Sequence, residues 1–298
     1  MHRVLITGAG GGIGRSLRES LRGVYPVLRL SDRVPLAAAR DQEEADCADL
    51  ADMAGVERIV AGVDGVVHLG GISGEDRWDA ILQSNILGTY NLFEAARRAG
   101  VKRIIVATSN HAVGFYPRDQ RIDHRVVPRP DSRYGVSKAF AEALASLYAD
   151  KHGIGFLCTR IGNFGPKPID KRRLSIWISP RDYTQLVRIG LEHPDIRYEI
   201  VYGVSNNRRS WYDNANAERL GYRPQDESEP LPRRCWRPRP ASPMTRSPSA
   251  TRAVRSAPPS IRRSHRRHKD AATAPTAPPP AAGRAQPSRP KPRSAAQQ

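Results

Sequence analysis

A tyrosine and a lysine four residues apart form a pair that could move a proton. Tyr134 and Lys138 belong to the stretch YGVSK, and on a helix this spacing brings both side chains to one face. A free phenol, with a pKa of about 10, is a poor base at neutral pH. We expect the lysine ammonium to favour the phenolate and lower that pKa. The pair therefore predicts removal of a hydroxyl proton from a substrate.

Two other polar residues are expected to complete this catalytic set. Ser109 follows an apolar stretch typical of a strand, and the end of a parallel strand is where such sheets keep their sites. Its hydroxyl would orient the reacting oxygen of the substrate. Asn85, in the stretch NILGT, is expected to order a water molecule or a backbone carbonyl near the same point. If the protein binds a nicotinamide dinucleotide, the long side chain of Lys138 could also hold the nicotinamide ribose.

A glycine-rich loop near the N-terminus predicts a dinucleotide site. The stretch TGAGGGIG at residues 7–14 follows an apolar run and opens a helical pattern. Glycine permits a tight turn and lets backbone N–H groups approach a pyrophosphate at the positive end of a helix. This position between strand and helix makes the motif specific. The expected contacts are Gly8, Gly11, Gly12, Ile13 and Gly14.

The choice of dinucleotide depends on a carboxylate about 20 residues after this loop. Asp32 ends the second predicted strand. A carboxylate there accepts hydrogen bonds from the adenosine ribose hydroxyls and repels a 2′-phosphate. Arg33 beside it would instead suit NADP, but we weigh Asp32 more heavily, and the sequence therefore favours NAD.

Four further residues are expected at the cofactor. Asp49 and Leu50 could contact the adenine, although Asp49 could equally be the N-cap of a helix. Leu69 and Ile161 are the last residues of two predicted strands and complete the expected cofactor contacts.

These residues must be positioned by alternating strands and helices. Short apolar runs predict strands at residues 4–7, 27–30, 65–69, 102–107 and 155–161, with helices at 13–21, 53–61, 78–99 and 134–152. This alternation predicts an α/β fold, a Rossmann-type doubly wound parallel sheet covered on both faces. A helix at 181–192 and a strand at 198–202 follow. We expect an NAD-binding domain at 1–162 and a substrate-binding region at 163–229 packed on it.

The net charge of +18 first suggests a nucleic-acid binder. However, 16 of the 48 Lys and Arg residues and one of the 30 acidic residues lie at 230–298, so this segment carries +15 and leaves +3 for residues 1–229. It also holds 15 of the 25 prolines. We predict a disordered tail that binds no specific nucleic acid, since only Trp236 could stack on bases. Its bias toward Arg, Ala and Pro suggests out-of-frame translation of GC-rich DNA.

Composition also argues against several other classes of protein. Cys47, Cys158 and Cys235 form no C-x-x-C pair, and they predict neither a disulfide framework nor a metal site. Because a predicted apolar strand begins at residue 3, we expect no signal peptide, and no run approaches the roughly 20 apolar residues of a membrane span. We expect a cytoplasmic protein with no membrane partner.

Taken together, these motifs resemble the extended short-chain dehydrogenase/reductase superfamily, which includes sugar-nucleotide epimerases and dehydratases. The resemblance covers about residues 1–229. Finer motifs resemble the NAD-dependent uronate dehydrogenases: HLGGIS at 68–73, SNH at 109–111, IGN at 161–163, RRLSIW at 172–177, GVS at 203–205 and WYDN at 211–214. That family oxidises a hexuronic acid at C1 to the aldarolactone. The resemblance implies NAD as cofactor and a small sugar acid, galacturonate or glucuronate, as substrate.

The resemblance also implies a substrate site. Ser73, Asn110 and His111 would line the sugar together with Ser109, although His111 could equally be a hydrogen-bonded structural histidine. Asn163 departs from the serine that the family commonly has at a substrate contact. Its bulkier amide, both donor and acceptor, could change which uronic acid fits.

A carboxylate-binding arginine is implied as well. Arg172 would hold the C6 carboxylate by two parallel hydrogen bonds, and Arg173 is the next candidate. Two other functions stay open: a sugar-nucleotide epimerase or dehydratase, for which the region at 163–229 is short, and an inactive NAD-binding remnant whose basic tail binds nucleic acid nonspecifically. A homo-oligomer is compatible with each of them.

Overall fold

A parallel sheet forms the centre of the protein. The computed structural model describes residues 1–37 and 39–229, and the expected disorder of the tail at 230–298 lies outside the described residues. The strands are β1 (Arg3–Thr7), β2 (Val27–Asp32), β3 (Glu43–Cys47), β4 (Gly65–His68), β5 (Arg103–Ser109), β6 (Gly155–Ile161), β7 (Asn163–Phe164), β8 (Trp177–Ile178) and β9 (Tyr198–Gly203). Seven of them pair in the order β3-β2-β1-β4-β5-β6-β9, all parallel, while β7 and β8 form a separate parallel pair.

Helices cover both faces of the large sheet. They are α1 (Gly12–Ser20), α2 (Met53–Val60), α3 (Trp78–Ile81), α4 (Gly88–Arg98), α5 (Arg133–His152), α6 (Pro180–Glu192) and α7 (Ala215–Arg219). One core lies between the sheet and α1, α6 and α7, and a second lies between the sheet and α2, α4 and α5. Burial on both faces explains why the central strands are almost wholly apolar. The predicted doubly wound fold is confirmed.

The order of the strands reverses direction beside β1, which creates the crevice of the fold. Thr7 at the end of β1 pairs with Ser31 of β2 on one side and with His68 of β4 on the other. In open parallel sheets the loops after such strands separate and leave room for a ligand. The loops that follow β1, β2, β4, β5 and β6 therefore meet at one edge of the sheet.

Helix α5 carries the tyrosine and the lysine in its first two turns. The Ser132 hydroxyl caps its N-terminus by accepting the backbone N–H of Gly135 at 3.0 Å. Gly153 ends the helix in the left-handed region at φ 69°, and its N–H donates to the carbonyl of Ala149. Tyr134 and Lys138 therefore lie about one turn apart on a regular helix, as predicted.

The predicted helix at 78–99 is interrupted. Leu82–Leu87 forms a π-helical segment between α3 and α4. Such segments widen a helix and re-aim a side chain, often at functional sites. Here the segment contains Asn85, whose side chain leaves the helix to bond the backbone of Ile72 and the hydroxyl of Ser137.

The expected domain boundary at residue 162 falls within one continuous sheet. β9 pairs with β6 along its length, and α6 packs beside α1. The substrate-binding region at 163–229 thus contributes a strand and a helix to the same layers as the cofactor-binding part. Across the described residues, no helix combines the length and the apolar composition needed to cross a membrane.

A buried ion pair joins α5 to β6. The guanidinium of Arg160 donates to both carboxylate oxygens of Glu142 at 3.0 and 2.9 Å, with side chains 1% and 3% exposed. The Thr108 hydroxyl donates to the same carboxylate at 3.0 Å. Two buried charges are tolerated because each has its partner, and removal of one charge leaves the other uncompensated.

We expect Glu142→Gln to lower the free energy of unfolding by about 3–5 kcal/mol, because it leaves Arg160 buried without a counter-charge. Urea-induced unfolding measures this. The matched control is Glu57→Gln, which breaks the exposed pair of Glu57 with Arg98 and should change stability little. Equal effects of the two substitutions would contradict the importance of the buried pair.

Candidate active site

A cleft of about 850 Å3 opens at the edge of the sheet where the strand-end loops meet. Sixteen sequence-predicted residues line it: Gly8, Gly11, Gly12, Ile13, Gly14, Asp32, Asp49, Leu50, Leu69, Ser73, Ser109, His111, Tyr134, Lys138, Ile161 and Asn163. They come from distant parts of the chain, so the fold alone brings them to one wall. Asn85, Asn110 and Arg172 lie outside this lining.

The glycine loop has the shape that a pyrophosphate requires. Gly8 adopts φ 67°, a conformation that L side chains rarely adopt. A Cβ atom at Gly14 would come 2.4 Å from the Gly8 carbonyl oxygen, whereas one at Gly12 would meet no protein atom within 4 Å. Gly14 thus lets α1 pack on the turn, and Gly12 presents open backbone to the cleft at the helix N-terminus. The residues present fit a dinucleotide pyrophosphate.

Asp32 joins this loop to the end of β2. Its Oδ2 accepts the N–H of Gly10 at 2.9 Å, and its Oδ1 accepts the N–H of Arg33 at 2.8 Å. A carboxylate oxygen has two lone pairs, so acceptor capacity remains for ribose hydroxyls. Arg33 also lines the cleft. However, the Asp32 carboxylate is the group that hydrogen-bonds the glycine loop, through the N–H of Gly10.

Asp49 is not a helix N-cap. Asp52 caps α2, with its carboxylate accepting the N–H groups of Ala54 and Gly55 at 3.2 Å each. Asp49 instead accepts the N–H of Ala51 at 2.9 Å in a tight turn that leaves it on the cleft wall. The capping alternative is therefore wrong, and the contact with adenine stays a prediction.

The phenol of Tyr134 faces Ser109. The Ser109 hydroxyl accepts the N–H of His111 at 3.2 Å, donates to Asn110 Oδ1 at 3.3 Å, and hydrogen-bonds the tyrosine side chain. Tyr134 is only 8% exposed. Burial raises the pKa of Tyr134 above its ordinary value, and the hydrogen bond with Ser109 opposes this rise.

The sequence predicts that Lys138 lowers the pKa of Tyr134, but in the folded protein the pKa of Tyr134 is raised. The ammonium lies 5.5 Å from the centroid of the Tyr134 ring, over its face, and burial lowers the pKa of Lys138 to about 8. Neighbouring His68 is buried, and its burial together with the charge of Lys138 lowers its pKa to about 3. An ammonium over the ring acts on the phenol oxygen less than one beside it, so burial prevails.

Asn85 acts from behind the cleft wall. Its Oδ1 accepts the N–H of Ile72 at 2.8 Å, and its Nδ2 donates to the Ile72 carbonyl and to Ser137 Oγ at 3.0 Å each. Asn85 thus orders a backbone carbonyl, that of Ile72, while the ordering of a water molecule stays a prediction. The loop after β4, which carries Ser73, is thereby attached to α5.

The two candidate arginines differ in their partners. Arg173 lines the cleft, but its Nη1 pairs with Asp170 Oδ2 at 2.7 Å. Arg172 is exposed, and among residues 1–37 and 39–229 its guanidinium has no hydrogen-bond or ion-pair partner. Its charge acts on the hydroxyl of Tyr212, which hydrogen-bonds Asn110. Arg173 therefore lines the cleft but is paired, whereas Arg172 lies outside the cleft lining, and its carboxylate-binding role stays a prediction.

Sequence reasoning missed two residues that hold the site. Glu75 accepts the N–H of Tyr134 at 3.1 Å and pairs with Arg133. Asp131 accepts from His111 Nδ1 at 2.8 Å. Asp131 precedes the capping Ser132, a helix-start signal that could have drawn attention to it, whereas Glu75 lies in a polar loop with no such signal.

Comparison with known proteins agrees with this geometry. Residues 4–213 match the NAD dependent epimerase/dehydratase family. The chain belongs to that family. Among its members, the uronate dehydrogenase of Pseudomonas putida is 50% identical over 229 residues, which are 76% of this chain and 85% of the relative. The uronate dehydrogenase of Agrobacterium fabrum is 45% identical over 77% and 86% of the two chains.

A solved structure of the family also contains the cofactor. It is a mutant of the Agrobacterium tumefaciens uronate dehydrogenase complexed with NAD, 44% identical, with a TM-score of 0.78 over 82% of this chain and 92% of that chain. The family fold and the glycine loop therefore agree in assigning this cleft to a dinucleotide.

We expect Gly14→Ala to lower the free energy of unfolding by more than about 1 kcal/mol and to weaken NAD binding, because its Cβ would strike the Gly8 backbone. Gly12→Ala should keep wild-type stability and still bind NAD about tenfold more weakly, since its Cβ occupies the approach to the pyrophosphate. Thermal unfolding and calorimetric titration with NAD measure both. Wild-type NAD affinity in Gly12→Ala would contradict the proposed position of the pyrophosphate.

Proposed function

We propose that this protein oxidises a free hexuronic acid, galacturonate or glucuronate, at C1 to the aldarolactone with NAD. The convergence of the glycine loop, Asp32 and the Tyr134, Lys138 and Ser109 side chains in one cleft carries the proposal. It is supported by relatives at 45–50% identity that are named uronate dehydrogenases. The substrate class rests on these relatives and on an arginine free to meet a carboxylate.

The protein's own groups divide the work on the reacting hydroxyl. Ser109 holds the anomeric oxygen, and its hydroxyl is itself oriented by the N–H of His111 and by Asn110. Tyr134, as phenolate, accepts the proton from that oxygen. NAD, when bound, supplies the acceptor for the hydride that leaves C1.

Three residues would position the cofactor for this reaction. Gly12 offers backbone at the pyrophosphate, and Asp32 offers acceptor oxygens to the adenosine ribose. Lys138, whose pKa burial lowers to about 8, is still mostly an ammonium at neutral pH and would hold the nicotinamide ribose. The side chains that bury the phenol of Tyr134 keep water away from the oxygen that receives the proton.

The substrate carboxylate is proposed to meet Arg172. A guanidinium suits this role because it can donate two parallel hydrogen bonds to one carboxylate. Arg172 is exposed and has no hydrogen-bond or ion-pair partner in the described part of the chain, which supports the proposal, since Arg173 would first have to leave Asp170. Ser73, His111 and Asn163 would then lie against the sugar hydroxyls.

The homo-oligomer and the cytoplasmic location stay predictions. Large apolar side chains on α3, α4 and α5 are more than two-fifths exposed, namely Trp78, Tyr90, Val136 and Leu147. If these side chains packed against a second copy of the chain, their apolar surface would be removed from water. Light scattering of the purified protein measures the oligomeric state.

We expect Tyr134→Phe to lower NADH formation from galacturonate or glucuronate by about 100- to 10,000-fold, because the base is lost. NAD affinity should be unchanged. In the wild type the rate should rise from pH 6 to pH 8, because burial raises the pKa of Tyr134 and the phenolate fraction grows as pH increases.

Absorbance of NADH measures both effects. A wild-type rate in Tyr134→Phe would contradict the role of the phenol, as would a rate that falls between pH 6 and pH 8. Bound NAD without net reduction in the presence of a UDP-sugar would instead favour the sugar-nucleotide epimerase alternative.

We expect Arg172→Gln to raise KM for galacturonate by more than tenfold while kcat and NAD affinity change little, because the carboxylate loses a bidentate partner. Arg173→Gln, the matched control in the adjacent position, should raise KM less. Steady-state kinetics on both variants, with neutral galactose as a second substrate, measure the loss of preference for the acid. A larger effect of Arg173→Gln would transfer the role to Arg173.

A further inference from the structure

A histidine and an aspartate form an oriented pair beside the catalytic tyrosine. His111 lies in the 3-10 turn Asn110–Val113 that follows β5. Its Nδ1 lies 2.8 Å from Asp131 Oδ1 and 3.0 Å from Oδ2. An ionised carboxylate can only accept hydrogen bonds, so Nδ1 must carry the proton. In the neutral imidazole, Nε2 then bears a lone pair.

The far side of the ring is available to a ligand. His111 lines the cleft, and its ring meets that of Tyr134 edge to face with centroids 5.7 Å apart. Its side chain is 36% exposed. Among residues 1–37 and 39–229, no group hydrogen-bonds Nε2. A lone pair at this point can accept a hydrogen bond from a sugar hydroxyl but offers no proton to a carboxylate.

Asp131 is held firmly by its surroundings. Its Oδ1 accepts the hydroxyl of Ser132 at 3.0 Å, and its N–H donates to the His111 carbonyl at 3.3 Å. Space for the carboxylate exists because residue 114 is glycine, since a Cβ atom there would come 2.1 Å from Asp131 Oδ2. The hydroxyl of Ser132, the carbonyl of His111 and the space at Gly114 thus together place this carboxylate against the imidazole.

We propose that Asp131 is a positioning residue that fixes His111 in the Nδ1–H tautomer, so that Nε2 accepts a hydrogen bond from one substrate hydroxyl and makes the enzyme select for it. The inference rests on the proposed oxidation of a hexuronate and assigns His111 to a hydroxyl, leaving the carboxylate to Arg172. A site built around a fixed acceptor discriminates against a substrate that lacks the matching donor, because the acceptor is left unpaired.

The test compares galacturonate with analogues that each lack one hydroxyl. In the wild type, kcat/KM should fall at least tenfold for one of these analogues. In Asp131→Asn the same analogue should lose less than about threefold relative to galacturonate, because an amide no longer dictates the tautomer. Asp119→Asn, the same substitution at an exposed position of the 114–131 loop, should keep the full tenfold penalty.

A direct reading of the tautomer does not depend on how the variants fold. Nitrogen-15 NMR of the wild-type imidazoles at pH 8 should show His111 protonated at Nδ1, with its signals assigned from those lost in His111→Gln. Protonation at Nε2 would overturn the inference, as would an unchanged hydroxyl penalty in an active Asp131→Asn enzyme. A folded wild type that binds NAD but oxidises neither uronate would instead reject the proposed function, and the hydroxyl selection with it.

Discussion

The catalytic arrangement depends on one close approach between two pieces of backbone. The first turn of α5 lies against the turn that follows β5, and a Cβ atom at Gly135 would come 2.3 Å from the carbonyl oxygen of His111. Because glycine leaves this space free, Tyr134 on the helix reaches Ser109 at the strand end. The same contact allows Asp131 to reach His111. The phenol and the imidazole are therefore positioned together by a single packing constraint.

Successive turns of α5 are then held by different parts of the fold. Glu75 bonds the backbone of Tyr134, Asn85 bonds Ser137, and Arg160 pairs with Glu142. The contacts of Asn85 and of Arg160 are buried, and polar contacts in such places are strong and demand complete pairing. The helix that carries Tyr134 and Lys138 is thus fixed against the loop after β4, the π-helical segment and β6. Such preorganisation is what a proton transfer at a defined oxygen requires.

Burial, more than the neighbouring charge, sets the acid–base state of the protein's own groups. It raises the pKa of Tyr134, lowers that of Lys138 to about 8 and lowers that of His68 to about 3. The lysine lies over the ring face, where its field reaches the phenol oxygen less directly. Ser109 is the group that opposes the effect of burial on Tyr134. The four-residue spacing of Tyr134 and Lys138 alone therefore does not explain how the phenol of Tyr134 would become a phenolate.

The sequence by itself determined the alternating α/β fold and the place of the glycine loop between a strand and a helix. It also determined the position of Asp32 at the end of the second strand and the pairing of Tyr134 with Lys138 on one helix face. These features depend on local properties: turn geometry, helical period and the apolar character of buried strands. Only the tertiary structure decided that the Asn85 side chain bonds outside its helix, that Asp131 hydrogen-bonds His111, and that, within residues 1–37 and 39–229, Arg173 has an ion-pair partner and Arg172 has none. Each of these depends on contacts or burial that the residue's immediate neighbours in the sequence do not determine. The direction of the Tyr134 pKa shift belongs with them, since burial is a property of the folded chain.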